Sequence, residues 1–157
     1  MNAYKMKIGM VFNMEEVCEI PRKNATSEEI KSILTTYRIV AVVGLSANED
    51  RESNRVARFL MERGFRIIPI NPNHNEVLGQ KCFPSLSAIP EDIDIEVVDI
   101  FRKPSAVPEI VNEAIQRDVK VIWMQEGIVH NDSADKAREH GLQVVMNKCM
   151  MKEYLAL

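Results

Sequence analysis

The residues between Gly44 and Arg55 combine the chemical groups that bind phosphate. Gly44 follows an apolar run and permits a tight turn, so that main-chain N–H groups beside a helix N-terminus can approach an anion. Ser46 and Ser53 add hydroxyl donors, while Arg51 and Arg55 add positive charge. This pattern indicates a phosphate-binding loop. Its candidate ligand-binding residues are Gly44, Ser46, Arg51, Ser53, Asn54 and Arg55.

The segments on either side of this loop predict a β-α-β unit. Ile39–Val43 is an apolar, β-branched run of strand length, which is typical of a strand buried on both faces of a sheet. Ser53 is predicted to cap the following helix, and Gly64 is predicted to end it. Arg66–Ile70 then forms the second strand. A unit of this kind, with a turn at the carboxyl end of its first strand, is the nucleotide-binding half of a doubly wound fold.

The remaining segments continue the alternation of helices and strands. The predicted elements are a helix entered at 26–29, strands at 93–100, 120–124 and 142–146, helices starting at 104–105 and spanning 133–140, and a closing helical turn within 147–157. Acidic residues interrupt the strand at 93–100 and predict a position nearer the sheet edge. Together, these helices and strands predict one three-layer, Rossmann-like α/β domain with about five parallel strands, in the simplest order 3-2-1-4-5. Residues 1–24 lack clear periodicity and are predicted to form an N-terminal arm, so the domain comprises 25–157.

Ligands of such folds bind beyond the carboxyl ends of the strands, where the strand order reverses. The loops predicted to lie there are 44–54, 71–75, 99–103 and 125–130. Each candidate also has an ordinary structural interpretation: one Gly-x-Ser fits a plain turn, Ser53 fits an N-cap, and the basic residues fit a solvated surface. Their convergence at one end of the sheet favours ligand binding.

Composition argues against several functional classes. The net charge of -3 disfavours a nucleic-acid-binding protein, and no apolar run reaches the ~20 residues of a membrane span. The three cysteines are an odd number without a CxxC pair, which predicts reduced thiols in a cytoplasmic protein and no zinc site or disulfide framework. His74, His130 and His140 lack metal-ligand spacing.

Two features of the sequence argue against the binding of a nicotinamide dinucleotide. The G-x-G-x-x-G motif is absent, because Ser46 occupies the place of its second glycine. The second strand ends in Asn71 and Pro72, where an acidic residue would bind the ribose diol. The phosphates of a dinucleotide could still be held. An NAD(P)-dependent oxidoreductase therefore stays as an alternative.

The chain also carries an ordered set of longer motifs. They are VAVVGLS, SNRVARFL, IIPINPNHNEVLGQKCFPSL, VVDIFRKP, VIWMQEG and VVMNKCM. Together they resemble the small CoA-binding domain proteins, which are similar to the nucleotide-binding domain of the succinyl-CoA synthetase α-subunit. The resemblance covers residues 27–154 and implies a Rossmann-like domain that binds coenzyme A or an acyl-CoA.

The resemblance also implies roles for particular residues. The matching positions are Gly44, Leu45 and Ser46 for the phosphate loop, Asn71 and Pro72 after the second strand, Phe101, Arg102 and Lys103 after the third, and Gln125, Glu126 and Gly127 beside the pantetheine arm. Asn73 and His74 stand where the synthetase has lysines. The 3′-phosphate of CoA therefore needs another cation, and we expect Arg102 and Lys103 to supply it, with Arg51, Arg55 and His74 as alternatives.

The sequence predicts binding without catalysis. Cys82 and Cys149 have no histidine base nearby in sequence, and Asp99 with Glu126 fits loop hydrogen bonding as well as acid–base work. The catalytic parts of the synthetase lie in domains that do not match this chain. A partner-dependent acyl-CoA ligase component and a regulatory protein without a ligand remain alternatives, and a homodimer or a protein partner is left open.

Overall fold

The computed structural model describes residues 19–157. Its strands are β1 (Ile39–Val43), β2 (Arg66–Ile70), β3 (Glu76–Val77), β4 (Gln80–Lys81), β5 (Val97–Ile100), β6 (Val121–Met124) and β7 (Gln143–Val145). Its helices are α1 (Ser27–Thr36), α2 (Glu52–Glu62), α3 (Val107–Gln116), α4 (Asn131–Glu139) and α5 (Met150–Leu155), with 3₁₀ turns at Leu86–Ala88 and Pro104–Ala106. Residues 1–18 of the predicted arm lie outside the described part of the chain.

The long strands form one parallel sheet, which confirms the predicted α/β class. Within residues 19–157 this sheet has five strands in the order β2-β1-β5-β6-β7. The predicted order 3-2-1-4-5 is wrong, because the third long strand, β5, pairs with β1. The place beside β2 is taken by Phe83, whose N–H donates to Pro69 O (3.0 Å) and whose carbonyl accepts from Asn71 N (2.9 Å).

The third long strand lies at the centre of the sheet. The expectation of a position near the edge is wrong, as β5 is flanked by β1 and β6 and all four of its residues are buried. Two of the acids that suggested an edge, Asp94 and Glu96, precede the strand, which begins at Val97. The Glu96 carboxylate accepts from the main-chain N–H groups of Arg38 and Ile39 (2.7 and 3.0 Å). Asp99 is the acid that lies within the strand, and it is fully buried.

Two apolar cores cover the faces of the sheet. One, the α3–α4 face, packs those helices and the 3₁₀ turn at Leu86–Ala88 against residues such as Val43 and Ile70. The other, the α2–α5 face, packs α1, α2 and α5 against residues such as Val42 and Trp123. This separation follows from the alternation of side chains along each strand and produces the predicted three layers.

The helix termini test the local predictions. Thr26 and Glu29 form a reciprocal capping box at the start of α1, as the sequence predicts. Gly64 ends α2 with φ +91°, also as predicted. The N-cap of α2 was expected at Ser53 but is Arg51, so that prediction is wrong. Ser53 lies inside the first turn because its hydroxyl accepts from Ser46 N (3.0 Å) and supports the preceding loop.

Residues 19–24 are packed against the end of the sheet near β7 and α4. Glu19 accepts from both nitrogens of Asn131, and the Asn24 side chain pairs with the main chain of Met146 at 2.9 Å in both directions. Arg22 forms an ion pair with Asp132 (2.9 Å). This part of the predicted arm is thus tied to the domain. No helix between residues 19 and 157 is both long and apolar enough to cross a membrane.

Candidate ligand-binding site

A cavity of about 620 Å³ opens at the carboxyl ends of β1, β2 and β5. In this strand order the chain leaves β1 toward β2 on one side and returns to β5 on the other, so the loops after β1 and β5 diverge and leave a crevice. Helix α3 and the 3₁₀ turn at Leu86–Ala88 complete the walls. The predicted site residues that line the cavity are Gly44, Ser46, Arg51, Asn71, Pro72, Asn73, Phe101 and Arg102.

At Gly44 the loop after β1 lies close to the loop after β5. Its φ is +88°, a conformation that strains any residue with a side chain. A Cβ at this position would lie 2.8 Å from Phe101 O and 3.0 Å from Arg102 Cδ. The sequence predicts a positive φ here or the close approach of a phosphate, and the structure confirms the positive φ. The group that approaches is the protein's own β5 loop, which forms the opposite lip of the crevice.

The polar side chains behind the phosphate loop hold its main chain in place. Asn54 is buried and donates to Ser46 O (2.8 Å), while Ser53 accepts from Ser46 N. The Ser46 hydroxyl accepts from Asn48 N (3.0 Å) and closes a small turn. Leu45 is buried in the α2–α5 core. Ser53, Asn54 and Leu45 are therefore placed to shape the loop from behind, while Ser46 lies in the cavity wall.

Asn71 connects the loops that follow the first two strands. Its side-chain Nδ2 donates to Leu45 O (3.0 Å), and its Oδ1 accepts from Asn73 N (2.9 Å). Both ends of the amide are thus engaged with the main chain. Asn71 stands where a dinucleotide-binding protein has a ribose-binding acid. Here its side chain instead holds the two loops together.

The basic candidates separate into two groups. Arg51, at the N-cap of α2, and Arg102, after β5, line the cavity. Arg55 instead donates to Asp50 O (2.6 Å) and pairs with Glu52 on its own helix. Lys103 is exposed outside the cavity wall and precedes the 3₁₀ turn at Pro104–Ala106. The structure thus brings Arg51 and Arg102 to the crevice and leaves Arg55 and Lys103 beside it.

The loop after β6 lies outside the cavity wall. Gln125 is buried and accepts from Met150 N (3.2 Å), and the Gly127 N–H donates to Asn147 Oδ1 (2.7 Å). Glu126 pairs with Lys152 Nζ at 3.0 Å, and this contact raises the pKa of the lysine. The predicted residues Gln125, Glu126 and Gly127 therefore contact α5 and the segment before it.

The candidates for catalysis are shielded or directed away from the cavity. Cys82 is buried, burial raises the pKa of its thiol, and the thiol donates a hydrogen bond to Asn71 O (3.4 Å). Cys149 is also buried. Asp99 is in register with Val42 and Trp123, so it points into the α2–α5 face, and burial raises the pKa of its carboxyl well above the usual range. Within residues 19–157 neither Asp99 oxygen has a hydrogen-bond partner.

Sequence reasoning missed one wall of the cavity. This wall consists of residues from the 3₁₀ turn and from one side of α3: Pro84, Ser85, Leu86, Glu109, Ile110 and Glu113. The helical stripe of α3 predicts that Ile110 is buried, but nothing in its spacing says which loop the next residues face. Over the described range no group of three or more His, Cys, Asp or Glu side chains is arranged to hold a metal ion.

Comparisons with known proteins identify the family. Residues 38–154 match the family model described as CoA binding domain. The protein YneT of Bacillus subtilis is 38% identical over 128 residues, which cover 82% of this chain and 93% of YneT. A solved structure of a hypothetical protein from Pyrococcus horikoshii superposes with a TM-score of 0.82 at 42% identity, covering 88% of this chain and 96% of the other.

A larger relative places the same domain inside an enzyme. The ADP-forming acetate–CoA ligase II of Archaeoglobus fulgidus is 34% identical over 109 residues, which cover 68% of this chain. The matched region spans 16% of that ligase. These matches confirm the resemblance that the sequence motifs indicate. The chain belongs to the CoA-binding domain family, and its Rossmann-like domain resembles the CoA-binding part of the ADP-forming acetate–CoA ligases.

Proposed function

We propose that this protein binds coenzyme A, free or acylated, in the crevice between the β1 and β5 loops. One observation supports the proposal most directly: a glycine loop, a helix N-terminus and two arginines surround the same cavity. The chain that has this cavity belongs to the CoA-binding domain family. CoA has a diphosphate and a separate 3′-phosphate, so its binder needs positive potential at two places. The crevice offers two such places.

The diphosphate is assigned to the loop at Gly44 and Ser46. The first N–H groups of α2 lack intrahelical partners and carry the positive end of the helix dipole, which favours an anion. Arg51, at the N-cap of this helix, adds a full charge to the same wall. Ser53 and Asn54 hold the main-chain N–H and carbonyl of Ser46 from behind, which fixes the path of the loop before the ligand arrives.

The 3′-phosphate is assigned to Arg102. Its side chain lies in the cavity wall, close to Gly44, and Phe101 beside it lines the same wall. Lys103 is exposed next to this wall and adds long-range attraction. The assignment favours CoA over NAD, because the amide of Asn71 is bonded at both ends and offers the ribose diol no carboxylate.

The proposal includes no catalysis by the isolated chain. The thiols of Cys82 and Cys149 are buried, Glu126 is paired with Lys152, and Asp99 points away from the cavity. None of these placements supplies a nucleophile with its base beside a bound thioester. The free thiols also support a cytoplasmic location, where cysteines stay reduced.

A second candidate is a component of an acyl-CoA ligase that acts with separate subunits. The similarity to the acetate–CoA ligase of A. fulgidus supports it, and the small share of that enzyme spanned by this chain implies that the other catalytic parts would come from partners. Purified protein that formed acyl-CoA from ATP, an acid and CoA without any partner would contradict both candidates as stated.

Thermal unfolding with a panel of nucleotides tests the proposed ligand. A ligand that binds only the folded state stabilises it by about 2.7 kcal/mol at a hundredfold excess over Kd. For a domain of this size that is a rise of roughly 5–10 °C in the melting temperature. We expect this rise with CoA and a much smaller one with NAD or NADP. An equal rise with NAD, or none with CoA, would contradict the proposal, and native mass spectrometry of the purified protein would show any co-purifying CoA directly.

A further inference from the structure

We propose that the Glu113 carboxylate recognises the exocyclic amino group of the adenine base. This inference rests on the proposed function, since it concerns where the base of CoA lies in the same crevice. It assigns a role to the cavity wall that the sequence did not reveal.

The cavity is lined by charges of both signs, which lie on different elements. Arg51 stands at the end of the phosphate loop and Arg102 on the facing β5 loop, while Glu109 and Glu113 stand on α3. The two acids are one helical turn apart, so both project from the same side of α3. A ligand that fits must therefore present anions to the two loop arginines and hydrogen-bond donors to the acids of α3.

Glu113 is held in position, unlike its neighbour. It is half-buried, and its Oε2 accepts from the Ser87 hydroxyl (3.0 Å), which in turn lies 3.1 Å from the Ser85 hydroxyl. Glu109 is exposed. An oriented carboxylate at a cavity wall is a specific acceptor for an N–H donor.

The wall that carries these serines is itself fixed against α3. Arg117, one turn beyond Glu113, donates to the main-chain oxygens of Leu86 and Ile89, each at 2.7 Å, and to Pro90 O at 3.0 Å. This bonding keeps the 3₁₀ turn and the helix in one arrangement. The carboxylate is thereby set before a ligand binds.

Adenine is the part of CoA that suits this wall. It is flat, uncharged and joined through the ribose to the phosphates, and its 6-amino group donates two hydrogen bonds. The apolar residues Leu86 and Ile110 line the cavity beside the acids and suit the faces of a base. A phosphate on this side would be repelled by both carboxylates. The pantetheine amides are the other N–H donors of CoA, and the test below separates them from the base.

The test compares adenosine 3′,5′-bisphosphate with inosine 3′,5′-bisphosphate, neither of which carries a pantetheine amide. Inosine replaces the 6-amino donor by a 6-oxo acceptor, which a carboxylate repels. Calorimetry on the wild-type protein should show adenosine bisphosphate binding at least about tenfold more tightly, the low end for a charge-assisted hydrogen bond. In Glu113→Gln the amide can donate to the 6-oxo group, so the preference should shrink to near parity or invert.

Controls keep the inference distinct from the proposed function. Glu139→Gln makes the same chemical change on the exposed end of α4 and should keep the wild-type preference.

A wild-type protein that does not bind CoA would overturn the proposed function and this inference with it. CoA binding with the same adenosine-to-inosine ratio in wild type and Glu113→Gln would overturn the inference alone. An effect of Glu113→Gln on CoA but not on the bisphosphates would assign the carboxylate to pantetheine and also overturn it.

Discussion

Two loops at the same edge of the sheet differ in what their polar groups contact. The loop after β1 faces an open cavity, and its neighbours Ser46 and Arg51 stand in the cavity wall. The loop after β6 has its polar groups engaged within the protein, with Gln125 accepting from Met150 N and the Gly127 N–H donating to Asn147. The difference arises because the chain diverges on either side of β1 and β5, whereas β6 and its loop are covered by α5 and the segment before it. A carboxyl-terminal position on a strand is therefore not sufficient for a site, and the reversal of strand order supplies the opening.

Replacing the two loop glycines gives the largest expected contrast. Gly44 and Gly127 have similar φ values, +88° and +84°, so alanine at either position costs about 1–2 kcal/mol of strain. Around Gly127 nothing lies within 4 Å of an added Cβ, but around Gly44 the Phe101 carbonyl lies 2.8 Å away. We expect Gly44→Ala to abolish CoA binding and to lower the melting temperature more than Gly127→Ala. Equal losses of affinity, measured by calorimetry on folded variants, would remove the distinction between the two loops.

The arginine of the β5 loop gives the next largest effect. A charge-assisted contact with the 3′-phosphate is worth about 1.5–3 kcal/mol, or roughly 10- to 150-fold in affinity. Arg102→Ala should therefore weaken CoA by that factor and leave dephospho-CoA nearly unchanged. Lys103→Ala is the matched comparison: because Lys103 adjoins the cavity without lining it, its loss should weaken CoA only slightly, through the lost long-range attraction. If both ligands weaken equally, Arg102 serves the diphosphate or the fold.

The buried acid of β5, Asp99, should make stability fall as pH rises. Burial raises the pKa of Asp99 in the folded protein, so above the pKa of an unfolded aspartate, about 3.9, the unfolded chain loses a proton that the folded chain keeps. The free energy of unfolding then decreases by up to about 1.4 kcal/mol per pH unit until Asp99 ionises in the folded state. Asp99→Asn should flatten this slope in denaturant titrations between pH 4 and 7. Parallel slopes for the two proteins would show that Asp99 is ionised in the fold.

The ion pair of the β6 loop should give the smallest effect. Lys152 and Glu126 are both exposed, and such pairs are screened by water and salt. Lys152→Ala is expected to leave the CoA affinity and the melting temperature without a resolvable change at physiological salt. A clear loss of CoA affinity would extend the binding surface to this loop, where the family resemblance places the pantetheine arm.

Local rules predict the features of the fold and the site that depend on a few neighbouring residues. The capping box of Thr26 and Glu29 and the positive φ of Gly44 and Gly64 follow from the backbone preferences of those residue types. The N-cap of α2 was misplaced because a serine near a helix start has two possible partners. Ser53 uses its hydroxyl to hold Ser46 N, seven residues earlier. Such a choice between partners depends on the loop geometry.

The strand order and the second wall of the cavity depend on contacts between distant segments. Acidic residues beside an apolar run suggested an edge strand, yet Glu96 lies before β5 and Asp99 is buried within it. The position beside β2 is occupied by Phe83, a residue that no periodicity marks as part of the sheet. Glu113 likewise gives no signal in sequence, because the partner of its carboxylate, Ser87, is 26 residues away.

The amino-acid pattern alone thus specifies the parallel α/β class, the β-α-β unit around Gly44 and the kinship with CoA-binding domains. Those properties are encoded within short windows, where side-chain alternation, helix caps and turn residues act on the local backbone. The crevice is not encoded in any short window, since it exists because β5 pairs with β1 and because residues of α3 form one of its walls. The packing of these distant segments also decides which polar loop residues line the crevice and which support the loop from behind.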